Sequence, residues 1–142
     1  MPDSDRALLV LAAREAGAIL AQHYRDGADV WEKSKNNPVT SADIAAETAL
    51  RTRLMAARPD FGWLSEETED DGSRLTKARV FVVDPMDGTR AFIKRRPHFT
   101  VSLAVVEAGR SVAAAVYNPL TDEMFDAERG KGATLNGAPI HV

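Results

Sequence analysis

The residues of this chain best suited to chemistry by type and spacing lie in Asp84-Pro85-Met86-Asp87-Gly88-Thr89, directly after the apolar run Val80 to Val83. Pro85 fixes its own backbone and donates no hydrogen bond, while Gly88 permits a positive φ, so the chain can aim Asp84 and Asp87 at one point. Two carboxylates held that close repel each other, and one takes up a proton unless a cation neutralises them. Mg²⁺ is the natural cation: it is hard, prefers oxygen, and sits on one or two carboxylates plus waters and substrate phosphate. Glu66, in Ser65-Glu66-Glu67, follows the short apolar run Phe61 to Leu64 and joins the aspartates if the two runs are neighbouring strands. No basic residue occurs in either motif, so such a cluster is costly without metal. Each acid taken alone reads as a solvated loop carboxylate. The three together, with the Pro and Gly, indicate a site.

Two further residues belong to the same reading. Thr89 follows the second aspartate across Gly88, and its hydroxyl can orient a water at the metal. Asp43, in Thr40-Ser41-Ala42-Asp43, stands at the third position of a capping box, a stabilising role of about 1 kcal/mol. Catalysis is the other role open to it, and the sequence by itself does not separate the two.

The elements that must position these residues follow from periodicity. Ser4 to Tyr24 reads as a helix with Leu8, Leu11, Ala12, Ala16, Ile19, Leu20 and His23 at helical spacing, Ser4 or Asp5 as cap and Gly27 as stop. Trp31 to Pro38 is polar and closes on Asn36-Asn37-Pro38, an extended or turn segment. The capping box starts a second helix that runs to about Arg58 before Pro59, with Ile44, Leu50, Leu54 and Met55 available for burial. A short run at 61–64 and an acidic loop at 69–73 precede the central strand, Arg79 to Val83. Phe99 to Val106 and Ser111 to Tyr117 are two strands joined across Ala108-Gly109-Arg110, Glu123 to Ala127 is a third, and Asn136-Gly137 marks a tight hairpin turn. Helix, helix, then neighbouring strands is an α+β order: two N-terminal helices packed on one face of a mostly antiparallel sheet.

Composition bounds the rest. With 142 residues and 44% hydrophobic content the chain buries one core, so a single domain is expected. A net charge of −3 gives no global field toward a nucleic acid polymer or an anionic membrane. The absence of Cys excludes disulfides, thiolate nucleophiles and Cys-ligated zinc, and His23, His98 and His141 show no metal-ligand spacing. The N-terminus is acidic where a secretory signal is basic, and Arg14-Glu15 breaks the apolar run before it could span a membrane. A cytoplasmic protein is the expectation.

The combination Asn37-Pro38-Val39-Thr40-Ser41-Ala42-Asp43, Ser65-Glu66-Glu67, Asp84-Pro85-Met86-Asp87-Gly88-Thr89 and Phe99-Thr100-Val101-Ser102-Leu103-Ala104 resembles the inositol monophosphatase superfamily of Mg²⁺-dependent, Li⁺-sensitive phosphatases. Phe92-Ile93-Lys94-Arg95 is more similar to the 3'(2'),5'-bisphosphate nucleotidases within it. The resemblance implies two or three Mg²⁺ ions and inhibition by Li⁺. It implies that Glu66, Asp84 and the Met86 carbonyl hold the first ion, that Asp84 with Asp87 hold the second, and that Gly88 and Thr89 offer backbone N–H groups to the substrate phosphate. Thr89 and Asp43 would activate the attacking water, with Glu66 as a further catalytic residue, and Lys33 falls where the family has a lysine near the metals. The implied reaction is in-line attack by metal-activated water on the phosphomonoester of a small metabolite, without a phosphoenzyme, by a protein that is a homodimer.

Family members continue past Leu135-Asn136-Gly137-Ala138-Pro139-Ile140 into a second α/β domain that supplies another metal-ligating aspartate and most contacts to the leaving group. This sequence stops at Val142, and Asp122 and Asp126 match no such motif. The expectation is therefore an N-terminal metal-binding domain over residues 1–142 without its C-terminal partner, and poor activity alone. Two rivals remain. A haloacid-dehalogenase-type phosphatase would use its first Asp as nucleophile, but here the acids are separated by Pro85-Met86 and the order is not β-α alternation. A catalytically silent association module would bury exposed apolar surface against another chain. The basic cluster Arg90, Lys94, Arg95 and Arg96 suits either a second substrate phosphate or plain solvation.

Overall fold

The computed structural model describes residues 4–142. The first helix, α1, is Asp5–Asp26, and Ser4 caps it by accepting the Ala7 amide at 3.0 Å. Its buried residues are Leu8, Leu9, Ala12, Ala13, Ala16, Gly17 and Leu20. The expected stripe is thereby widened and rotated, with Leu11, Ile19 and His23 left at its half-buried edge. The cause is tertiary: α1 packs on a second helix along one flank and on three strands along the other. Gly17 is required at that contact, because a Cβ there would lie 2.5 Å from the Tyr117 ring.

A two-stranded ribbon, β1 (Val30–Ser34) and β2 (Asn37–Thr40), occupies the stretch expected to be extended or turning. Pro38 is tolerated there because β2 has one neighbour only. The second helix, α2, is Ser41–Ala57 and begins with the full capping box on Thr40 and Asp43. Leu50 and Leu54 are buried as expected, but Ile44 is 39% exposed. The inward face runs Ala42, Asp43, Ala46, Glu47, Leu50, Leu54, and Ile44 falls outside it. Two acids thus occupy positions that helical spacing reserves for apolar residues.

The remaining strands form one seven-stranded sheet in chain order: β3 (Gly62–Ser65), β4 (Arg79–Asp87), β5 (Thr100–Glu107), β6 (Arg110–Asn118), β7 (Glu123–Glu128), β8 (Gly132–Leu135) and β9 (Ala138–Ile140). Every pairing is antiparallel except β3 with β4. The α+β reading therefore holds, helices on one face included. Phe81, Val83, Val101, Leu103, Val105, Ala113, Ala115 and Met124 join the helices in a single core, while the alternate positions Val82, Ser102, Ala104, Ala114 and Val116 are only half-buried.

Two elements were not anticipated. A 3-10 turn, Ser73–Thr76, lies in the β3–β4 connection, and a short helix, α3 (Thr89–Ile93), follows Gly88. Phe92 of α3 stacks edge-on against Phe99 and Tyr24, with ring centroids 5.1 and 5.7 Å apart, which ties this segment to α1. Among the described residues no helix is long and apolar enough to cross a membrane.

Candidate functional site

The central strand does not stop at Val83, as the sequence pattern suggests, but runs on to Asp87 through a bulge. Asp84 pairs with Ser102 and Asp87 with Thr100, so two β4 residues, Pro85 and Met86, oppose Val101 alone. In a regular strand positions i and i+3 point to opposite faces. The extra residue makes three steps count as two, and both aspartates face the same side. Pro85 suits the bulge because it has no N–H to contribute to the ladder. Gly88 then turns the chain with φ +101°, and a Cβ at that position would meet the His98 carbonyl at 2.5 Å.

The parallel pairing of β3 with β4 brings in the third acid. Ser65 lies opposite Val83, and the Glu66 amide donates to the Val83 carbonyl at 3.3 Å. Glu66, Asp84, Met86, Asp87, Gly88 and Thr89 all line one cleft of about 310 Å³, with Lys33, Asn37, Pro38, Glu67 and Arg90 completing its wall. Glu66 and Asp87 are exposed and Asp84 is half-buried. Burial pushes the Asp84 carboxyl up to about 6, and repulsion from Asp87 and then Glu66 adds to the effect against a bond from the Met86 amide. None of the ion pairs among the described residues involves Glu66, Asp84 or Asp87.

Behind this acidic wall lies Asp43, 1% exposed. Its two oxygens are divided between two tasks. Oδ2 accepts the Thr40 amide at 2.8 Å and the Thr40 hydroxyl at 2.7 Å, which completes the helix cap. Oδ1 accepts the Thr89 hydroxyl at 3.0 Å, closer than the alternative acceptor, the Met86 carbonyl at 3.4 Å. The cap and the Thr89 contact therefore coexist in one carboxylate. With its proton directed at Asp43, the Thr89 oxygen has lone pairs left to accept a hydrogen bond from the cleft.

The donor chemistry of the wall, three carboxylates and a main-chain carbonyl, fits a hard divalent cation. It is not a closed cage: among the described residues no three acidic or histidine side chains stand close enough to hold an ion together. One or two carboxylates with waters and a phosphate oxygen is the coordination Mg²⁺ usually takes.

Other candidates are placed as follows. Lys33 reaches the site's edge, where its Nζ donates to Glu67 Oε1 at 3.1 Å. The Glu67 carboxyl is pushed up by burial, an effect that the Lys33 contact opposes. Of the basic cluster only Arg90 lines the cleft, and it donates to the Asn36 carbonyl. Arg95 is turned back to stack 3.9 Å over the Tyr24 ring. Asp122 accepts from the Tyr117 hydroxyl at 2.8 Å and Asp126 is held by Arg6 and Thr134, so neither belongs to the site.

One residue escaped the sequence reading. Glu47, one turn beyond Asp43 on α2, is 7% exposed and accepts the Ser65 hydroxyl at 2.6 Å and the Thr68 hydroxyl. Its signal was present: an acid four residues after Asp43 must share its helix face.

Comparisons with known proteins bear on the family and the fold. The profile of the Inositol monophosphatase family matches residues 1–142. The chain is 40% identical over 141 residues to an inositol-1-monophosphatase of Rhizobium meliloti (strain 1021), covering 95% of this chain and 51% of that protein. It is 43% identical over 123 residues to the 3'(2'),5'-bisphosphate nucleotidase CysQ of Escherichia coli O157:H7, covering 84% of this chain and 50% of that one. A crystal structure of the extragenic suppressor protein suhB from Bartonella henselae superposes with a TM-score of 0.87 at 39% identity, over 96% of this chain and 53% of the other. The chain thus spans about half the length of the curated relatives it matches.

Proposed function

We propose, from the premise that this chain belongs to the inositol monophosphatase family, that its cleft is the metal-binding half of a Mg²⁺-dependent phosphomonoesterase acting on a small phosphorylated metabolite. The observation that carries the proposal is the Thr89–Asp43 hydrogen bond of 3.0 Å, set directly behind three carboxylates, Glu66, Asp84 and Asp87, that make no ion pair among the described residues. Bound Mg²⁺ would supply Lewis acidity, which lets a water give up a proton and so become a nucleophile, and would offset charge on the phosphate. Glu66, Asp84 and the Met86 carbonyl would hold one ion, and Asp84 with Asp87 a second. Thr89 accepts a hydrogen bond from the attacking water and passes its own proton toward Asp43 Oδ1, while Thr40 keeps Asp43 from rotating by occupying Oδ2. Gly88 and Thr89 present main-chain N–H groups to the phosphate.

Similarity to both a bisphosphate nucleotidase and an inositol-1-monophosphatase supports adenosine 3',5'-bisphosphate or an inositol phosphate as substrate class. A chain without Cys suits a reducing compartment, and the proposal places the reaction in the cytoplasm. The test is phosphate release from adenosine 3',5'-bisphosphate, inositol 1-phosphate, histidinol phosphate and fructose 1,6-bisphosphate, with Mg²⁺ and with or without Li⁺. It is run on this chain and on a version extended by any downstream coding sequence. Li⁺-inhibited release from one of the first two, by the extended version above all, is the expected result. Labelling of Asp84 by substrate phosphate would defeat direct water attack.

The open face of the sheet favours a second reading. Leu64, Val82, Ala104, Ala114 and Val116 line a hollow there of about 600 Å³, and Glu66 and Asp84 stand at its border with the cleft. In this reading two copies associate through that face and the chain is silent by itself. Light scattering beside the phosphatase assay separates the readings: an active, Li⁺-inhibited monomer excludes the second.

A further inference from the structure

We infer that Glu47 is a positioning residue that sets the metal affinity of the cleft by clamping the loop on which Glu66 is carried. A buried carboxylate is expensive unless its lone pairs are satisfied. Among the described residues Glu47 has no Lys, Arg or His partner, and the whole of its hydrogen bonding goes to Ser65 and Thr68. These two hydroxyls bracket Glu66 and Glu67. Ser65 also accepts the Glu67 amide at 3.3 Å, so the clamp reaches the backbone between them.

The geometry explains why an acid stands there instead of an apolar residue. Glu66 itself is exposed; its amide donates to the Val83 carbonyl and its own carbonyl accepts from Lys33 at 3.5 Å. Without Glu47 the segment 65–68 would, among the described residues, be tied only by Val83 and by Lys33, its Thr68 end would be loose, and the Glu66 carboxylate could shift relative to Asp84. Glu47 Oε1 takes Ser65 at the strand end and Oε2 takes Thr68 at the far end, so one rigid group fixes both. Asp43, one turn earlier on the same helix face, fixes the Thr89 side. Thus α2 registers the two halves of the cleft against each other through consecutive acids. Partners that orient a metal's ligands set affinity without touching the metal.

The inference rests on the proposed role of Glu66 as a metal ligand, and its test keeps the two apart. Mn²⁺ alone is titrated into this chain and free Mn²⁺ is read by electron paramagnetic resonance, for wild type, Glu66→Gln, Glu47→Gln and Met124→Ala. Met124 lies on β7, separated from β4 by two intervening strands, and serves as a control that lowers the melting temperature without reaching the loop. Glu66→Gln and Glu47→Gln are each expected to weaken Mn²⁺ binding about ten-fold or more. Met124→Ala is expected to bind as wild type does. If Glu66→Gln weakens binding and folded Glu47→Gln does not, the positioning role is overturned and the metal site stands. If Glu66→Gln binds normally, or the wild-type chain binds no Mn²⁺, the ligand role fails and takes this inference with it. Should circular dichroism show Glu47→Gln unfolded, Thr68→Val, which removes one end of the clamp, is judged by the same criterion.

Discussion

The floor and the wall of the cleft handle negative charge in opposite ways. On the floor, Asp43 is almost fully buried and its oxygens meet donors from Thr40 and Thr89, so the chain itself supplies what the carboxylate needs. On the wall, Glu66, Asp84 and Asp87 have no ion-pair partner among the described residues, and burial first, then repulsion from Asp87 and Glu66, pushes the Asp84 carboxyl up to about 6. The difference teaches where the missing partner comes from. A satisfied acid is part of the scaffold, whereas acids left to repel each other are waiting for charge from outside.

Four experiments would break or sharpen that contrast. The largest effect is expected from the floor. Asp43→Asn keeps an acceptor for the cap but loses the carboxylate that receives the Thr89 proton, so phosphate release should drop by roughly 10²–10⁴ while the helix cap is largely retained. Thr89→Val should fall comparably and Thr89→Ser stay near wild type; equal activity in Thr89→Val would remove the hydroxyl from the mechanism.

Next in size is the hinge between floor and wall. Gly88→Ala forces a side chain into a φ of +101° and against the His98 carbonyl, and should cost about 1–3 kcal/mol in denaturant titration. An unchanged midpoint would show that the turn is not rigid.

The wall itself is tested by pH. The Asp84 carboxyl is raised from 3.8 to about 6 in the folded chain, so its neutral form favours folding. In metal-free buffer that contribution is complete below about pH 4 and is lost as pH rises through about 6. The melting temperature of wild type should therefore fall across this window relative to Asp84→Asn, which stays uncharged. At pH 7 Asp84→Asn should be the more stable of the two without metal, and wild type should gain more from added Mg²⁺. Parallel profiles for the two proteins would contradict an uncompensated wall.

The smallest effect is expected at the rim, where Lys33 pairs with Glu67 at 3.1 Å on the edge of the cleft. Lys33→Ala should cost less than about 1 kcal/mol of stability, as partly exposed pairs do. A larger loss in thermal unfolding would mean that the rim, like the floor, is internally satisfied.

Much of this was legible in the residues. The capping box announced α2 because its hydrogen bonds are local, and it was found with both reciprocal bonds in place. The alternation in β5 and β6 announced strands because a half-buried sheet imposes period two. The bulge in β4 was not legible as such. Pro85 and Gly88 signalled a bend, but whether the chain leaves the sheet at Val83 or stays in it to Asp87 depends on β5 lying alongside. Ile44 was misplaced for a similar reason. Helical spacing defines a face, yet the face that turns inward is the one that packs Ala42, Ala46, Leu50 and Leu54 into the shared core, where Asp43 and Glu47 find hydroxyl partners on other elements.

The sequence by itself determined the chemistry available: which acids, which hydroxyl, and a hard oxygen donor set with no basic residue in the motifs that carry it. Those are properties of residue type and short-range order. Only the tertiary structure decided how the donors divide. It placed Glu66 beside β4 through a parallel pairing, gave one oxygen of Asp43 to the cap and the other to Thr89, and made Glu47 the clamp of the Glu66 loop. Contacts between residues 18 to 46 positions apart cannot be written into any local pattern. They exist only once burial of the shared core has brought α2, the β3–β4 pair and the Thr89 turn to the same place.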